Sequence, residues 1–165
     1  MIGMEMIPPN EEQRLQNLNK YNILYTRAEP IFDQLAAVTA TMLSAPVAMI
    51  NFVDRYKVWT KANQSGEAGL EIERHLCLCA LTILQAGVTI FEDITKEIYH
   101  ISGPPIEGEF DLKFYAAAPI ITHEGFNVGC VCINDRIART FSISERRKLE
   151  WIATMVSIEM HKRIA

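Results

Sequence analysis

Apolar residues at three-to-four spacing mark both ends of the chain as helical. In NEEQRLQNLNKYNIL, from Asn10 onward, Leu15, Leu18 and then Tyr21 fall on one side. Glu11 and Glu12 sit in the first turn, where the helix dipole favours negative charge. PIFDQLAAVTATML opens on Pro30, whose fixed φ suits a first helical position, and repeats Ile31, Leu35, Val38 and Met42 as one stripe. That second helix is predicted to end near Ser44. At the other end, SISERRKLEWIATMVSIEMHKRI predicts a long helix with Ser144 as its N-cap. Arg147 stands three residues further on, so that cap completes no capping box.

Between the helices the pattern changes to strands. VAMINFV, residues 47 to 53, is an apolar run between Pro46 and DRYK, and VWTKANQ follows at hairpin distance. SGEAGLEIER is polar with two glycines and reads as a connection. LCLCALTILQAG is too short for periodicity to separate helix from strand; a short helix from about Cys79 to Gln85, ending at Gly87, is the reading adopted. VTIFED predicts a brief strand, and TKEIYHISGPPIEGEFD a loop long enough to carry function. FYAAAPIIT and FNVGCVCIN form two further strands around HEG, where Gly125 is free to take positive φ. Hairpins flanked by terminal helices give an α+β domain, an antiparallel sheet with helices packed on it.

The 165 residues suit a single domain. With 49% hydrophobic and 22% charged residues the composition is that of a soluble globular protein. The net charge is −4, and no cluster of Lys and Arg supplies the field that nucleic acid requires. MIGMEMIPPNEEQ has neither the basic segment nor the long apolar run of a secretory signal. AAAPII and the other apolar stretches fall far short of the roughly 20 residues of a bilayer span. A cytoplasmic protein is expected, and its four cysteines are then free thiols or ligands rather than a disulfide framework.

In order and spacing, several pieces resemble a GAF domain over nearly the whole chain, from Pro9 to about Arg163. They are NEEQRLQNLNKYNIL, EPIFDQLAAVTATMLSAPVAMINFVD, the Trp59 strand, RHLCLC with Arg74 and Cys79, FEDITK with Asp93, KFYAAAPI with Phe114, Tyr115 and Pro119, and NVGCVCIND with Gly129, Cys132 and Asp135. The similarity is greatest to the branch found as an input module ahead of bacterial histidine kinases and diguanylate cyclases. The resemblance implies a central antiparallel sheet of five or six strands. The terminal helices would cover one face, and the other face, with the long loop, would enclose a small-molecule pocket. It also implies a regulatory role, with an effector domain or partner protein supplying the output. Departures narrow the ligand: the usual Ser-Phe-Cys reads Cys77-Leu78-Cys79, and neither a bilin-anchoring Cys-His pair nor the cyclic-nucleotide motif is present. The cofactor stays unknown.

The two Cys-x-Cys pairs, 77/79 and 130/132, are the least generic feature. On a strand, i and i+2 share a face, so Cys130 and Cys132 can point to one place, and an opposing pair could complete a zinc site or a redox couple. Structural zinc sites favour Cys-x₂₋₄-Cys, however, and buried thiols also serve as small hydrophobes. The filler reading is adopted, with redox and metal sensing left as alternatives. Ligand contacts are assigned to Trp59, Arg74, Cys79, Asp93, His100 in the presumed loop, and Tyr115, which faces away from Phe114 on a strand. For Asp93 a turn or helix cap, and for Arg74 a surface ion pair, are the plainer roles. A few GAF-fold proteins reduce free methionine sulfoxide with a cysteine in the long loop, but residues 95 to 112 contain no cysteine. No enzymatic activity is expected. On the last helix, Leu149, Ile152, Val156 and Met160 make one stripe, and Trp151, Met155 and Ile158 a second. The excess width predicts a homodimer through this helix, or else packing beneath the first helix.

Overall fold

The computed structural model describes residues 7–96 and 112–164, so all but the first two residues of the predicted loop, His100 included, lie outside the described residues. The chain runs α1 (Glu11–Lys20), α2 (Pro30–Leu43), β1 (Val47–Val53), β2 (Lys57–Asn63), β3 (Glu71–Glu73), a 3₁₀ turn (Arg74–Leu76), α3 (Cys79–Thr82), β4 (Thr89–Phe91), β5 (Phe114–Ile121), β6 (Asn127–Asp135) and α4 (Ile143–Lys162). The strands form one six-stranded sheet in the order β3-β2-β1-β6-β5-β4, with every pairing antiparallel. Its two edges are three-residue strands, too short to template a neighbouring chain.

Side-chain alternation divides the sheet into two cores. Ala48, Ile50 and Phe52 of β1, Phe114, Ala116 and Ala118 of β5, and Val131 and Ile133 of β6 meet α1, α2 and α4 on the back. Their alternates, including Val53, Tyr115, Ala117, Cys130 and Cys132, meet the segment from Cys77 to Ile83 on the front. β5 and β6 join through a tight turn in which Gly125 has φ +95° and donates to the Thr122 carbonyl at 2.9 Å. At Gly129 the backbones of β6 and β1 come so close that a Cβ would lie 2.1 Å from the Asn51 carbonyl oxygen, which only glycine permits.

Three expectations are corrected. α2 buries Phe32, Leu35, Ala36, Thr39, Ala40 and Leu43, while Ile31 and Val38 face out. The inner stripe is thus rotated from the expected one, because the small Ala36, Thr39 and Ala40 let the helix lie close to the sheet. The polar connection contains β3, whose Glu71, Ile72 and Glu73 are all exposed. The N-cap of α4 is Ser142, not Ser144. Its hydroxyl accepts from the Glu145 amide at 3.1 Å, and its own amide donates to Glu145 Oε1 at 3.0 Å. A capping box is therefore present where none was expected, with its serine two residues earlier.

Buried charge fastens the helices to the sheet. Lys61 of β2, its side chain fully enclosed, donates to Thr26 Oγ1, the Arg27 carbonyl and Glu29 Oε2 at 2.8, 2.6 and 2.5 Å. Its ammonium also lies over the rings of Phe32 and Trp59, at 5.5 and 5.8 Å. Glu29, at the start of α2, also receives Arg163 from the end of α4 at 2.5 and 2.6 Å. Among the described residues no helix is long and apolar enough to cross a membrane.

Candidate functional site

The front core converges on sulfur. Cys130 and Cys132 project from β6, and Asn51 opposes Cys130 in the β1–β6 register. The start of α3 lowers Cys79 onto them. Cys130 Sγ donates to Cys79 Sγ at 2.8 Å, and the sulfurs of Cys79, Cys130 and Cys132 all lie within 4.8 Å of one another. Cys77 hydrogen-bonds Cys79 as well. Two further donors point inward. Asn51 Nδ2 reaches Cys79 Sγ at 3.4 Å and Cys132 Sγ at 3.5 Å, and the Tyr115 hydroxyl reaches Cys79 Sγ at 3.5 Å. The same hydroxyl lies 3.2 Å from Thr82 Oγ1. All four cysteines are buried.

These donors separate the thiols chemically. Hydrogen bonds from Cys130 first, then from Cys132 and Cys77, hold the Cys79 thiol well below its ordinary range despite burial. Burial, with the hydrogen bonds it gives Cys132 and Cys79, pushes Cys130 up. Burial, reinforced by the neighbouring sulfur charges, does the same to Tyr115.

The residues proposed from the sequence fall in several places. Cys79 and Tyr115 meet in the sulfur cluster, and Phe114 is on the opposite face, as strand alternation requires. Trp59 sits on the back of the sheet, buried in the helix-side core 5.8 Å from the Tyr25 ring. Arg74 is buried in an ion pair with Glu11 of α1, at 2.5 and 3.2 Å, and also donates to the carbonyls of Asp54 and Arg55. Burial alone would push the Glu11 carboxyl up, but hydrogen bonds and charge from Arg74 and Arg14 outweigh it and hold it at about 2. Asp93 accepts from the Thr95 amide at 3.1 Å and the Thr95 hydroxyl at 2.6 Å, a local capping arrangement. Sequence reasoning missed Asn51. Its signal is a single amide within the apolar run VAMINFV, a residue that needs polar partners once buried.

No family model matches the chain. Among solved structures, the GAF domain of an Acinetobacter phosphoenolpyruvate-protein phosphotransferase superposes with a TM-score of 0.68 at 14% identity, covering 93% of this chain and 94% of that one. The fold is that of a GAF domain. Its sequence is 31% identical over 159 residues to a cyclic di-GMP phosphodiesterase of Pseudomonas aeruginosa. That alignment covers 93% of this chain and 26% of the phosphodiesterase, so the chain spans about a quarter of its relative's length. The same fold occurs in a type II free methionine-R-sulfoxide reductase of Thermoplasma acidophilum, with a TM-score of 0.61, 18% identity, and 79% and 92% of the two chains covered. The GAF fold thus occurs in proteins of different activities.

Proposed function

We propose that this chain is a single, cytoplasmic, regulatory GAF domain of bacterial signal transduction. It binds a small organic ligand on the front of the sheet and passes the change to its terminal helices. The observation that carries this reading is the shared use of β5 and β6. Tyr115, Cys130 and Cys132 line the front, while Phe114, Val131 and Ile133, one residue away on the same strands, pack on the back among the helices. A ligand that shifts either strand therefore works on both cores at once. Coupling follows if it binds two helix arrangements with different affinity.

The relative's name suggests an output in cyclic di-GMP turnover, with this chain as an input module attached to, or associated with, such an enzyme. The domain itself is proposed to be non-catalytic. The terminal helix is proposed to pair with a second copy. Trp151 and Ile158 of α4 and Val38 of α2 are exposed, more apolar surface than packing within one chain requires.

A thermal-shift screen of purified protein against cyclic dinucleotides, other nucleotides, tetrapyrroles and central metabolites tests the ligand. A binder at 100 times its dissociation constant stabilises by about 2.7 kcal/mol. A full panel without a shift refutes small-molecule sensing. Sedimentation at micromolar concentration tests the pairing, and a clean monomer refutes it.

A further inference from the structure

We propose that Cys79, Cys130 and Cys132, with Cys77 at their edge, form a site for a soft, thiophilic divalent cation of the zinc class. The site shares Cys130 and Cys132 with the front surface proposed above for an organic ligand, but cation binding is read out separately from that ligand. Spacing along the chain argues for filler, since each pair is Cys-x-Cys. The fold alters that argument by bringing the pairs together from two directions, one from the cover over the front face and one from the sheet.

Cys79 and Cys130 approach to 2.8 Å, and Cys132 lies within the same 4.8 Å, so three sulfurs are already gathered in one place. Zinc–sulfur bonds of about 2.3 Å set tetrahedral sulfur–sulfur edges at about 3.8 Å, so a cation would open the closest pair by about 1 Å and draw the wider ones in. The surroundings also suit thiolates. A neutral thiol is a weak acceptor, yet the Asn51 amide directs its N–H at two sulfurs and Tyr115 directs its hydroxyl at one. Asn51 Oδ1, in the same amide, is buried with no hydrogen-bond partner among the described residues. These donors hold the place of the outer-shell groups that orient and stabilise metal-bound thiolates.

Binding is balanced by proton release. Each thiol that ligates loses its proton to solvent, and the cation exchanges water ligands for sulfur. Because two sulfurs belong to the cover and two to the sheet, the ion would staple α3 to β6.

The test uses the full chain, reduced and metal-stripped under argon. Titration with Co²⁺ is expected to give an intense sulfur-to-cobalt charge-transfer band that saturates at one ion per chain. Zn²⁺ should discharge it, with about three protons released per ion. Zn²⁺ should also raise the thermal midpoint. Cys130→Ser and Cys132→Ser are expected to abolish the band. Tyr115→Phe keeps every sulfur and should weaken Zn²⁺ by about 10- to 100-fold, which guards against Ser variants that fail to fold. Absence of the band at millimolar Co²⁺ overturns the proposal. So does a thiol count of two instead of four in protein denatured without reductant, which would mean a disulfide in place of the site.

Discussion

Replacing Glu11 by Gln tests how α1 is held to the sheet. One carboxylate accepts from two guanidinium groups, Arg14 at 2.9 and 3.2 Å and Arg74 at 2.5 and 3.2 Å. The Arg14 and Arg74 side chains are only 1% and 8% exposed. Glutamine keeps one acceptor oxygen but removes the carboxylate charge that is hydrogen-bonded to both cations, and its NH₂ faces an N–H. Removing one partner of a buried pair costs about 3–5 kcal/mol. Both arginines keep backbone acceptors, Val53 for Arg14 and Asp54 and Arg55 for Arg74, so the low end, about 3 kcal/mol, is expected. In urea, with a slope near 2 kcal/mol per molar, the midpoint should fall by about 1.5 M.

The pH dependence fixes the cause. The Glu11 carboxyl is held at about 2 in the fold, against an ordinary 4.5. A depressed folded value stabilises fully above the unfolded one and is lost as pH falls through the folded one, so this contribution fades between about pH 4.5 and 2. The gap between wild type and Glu11→Gln should therefore narrow across that window. Glu124 and the other carboxylates titrate in both proteins and cancel in the difference. A gap below about 1 kcal/mol at pH 7, or one unchanged at pH 3, would refute the reasoning.

Ser142→Ala should cost about 1 kcal/mol in thermal or urea unfolding by removing the capping hydroxyl, whereas Ser144→Ala should cost almost nothing. Gly129→Ala forces a Cβ to within 2.1 Å of the Asn51 carbonyl, and a loss of about 3 kcal/mol of stability, read by urea unfolding, is expected because backbone, not a flexible side chain, must yield. Lys61→Met leaves Glu29 paired with Arg163 and fills the space between Trp59 and Phe32. It should cost less than Lys61→Ala, which adds a cavity and falls in the 2–5 kcal/mol range of large core truncations; equal losses would show that the ion pair, not the volume, dominates.

Much of the architecture was legible because it follows from periodicity. The terminal helices, β1, β2, β4 and the β5–β6 hairpin with its positive-φ Gly125 are all set by local pattern. β3 escaped because Glu71, Ile72 and Glu73 are exposed and carry no alternation to detect. The face of α2 was misread because apolar residues surround that helix, and the choice of inner stripe depends on how closely Ala36 and Ala40 approach the sheet. The cap of α4 went to the wrong serine because Ser142 and Ser144 are chemically alike; only the chain's turn at Ser142 selects Glu145 as its partner. At the site, two Cys-x-Cys pairs could be seen, but their meeting depends on strand register and on where α3 descends. The pairing of Arg74 with Glu11 joins residues 63 positions apart, a separation no local pattern encodes.

The ion triad at Glu29 makes the two ends of one joint unequal. Arg163 and Glu29 are 24% and 30% exposed, so parting them is a surface event of about 0–1 kcal/mol, plus the bonds from Arg163 to the carbonyls of Tyr21 and Asn22. Pulling Glu29 itself away would strand Lys61, which has no access to water. The tail of the last helix can therefore detach while the carboxylate stays behind to neutralise the enclosed ammonium, a hinge whose weak side faces outward.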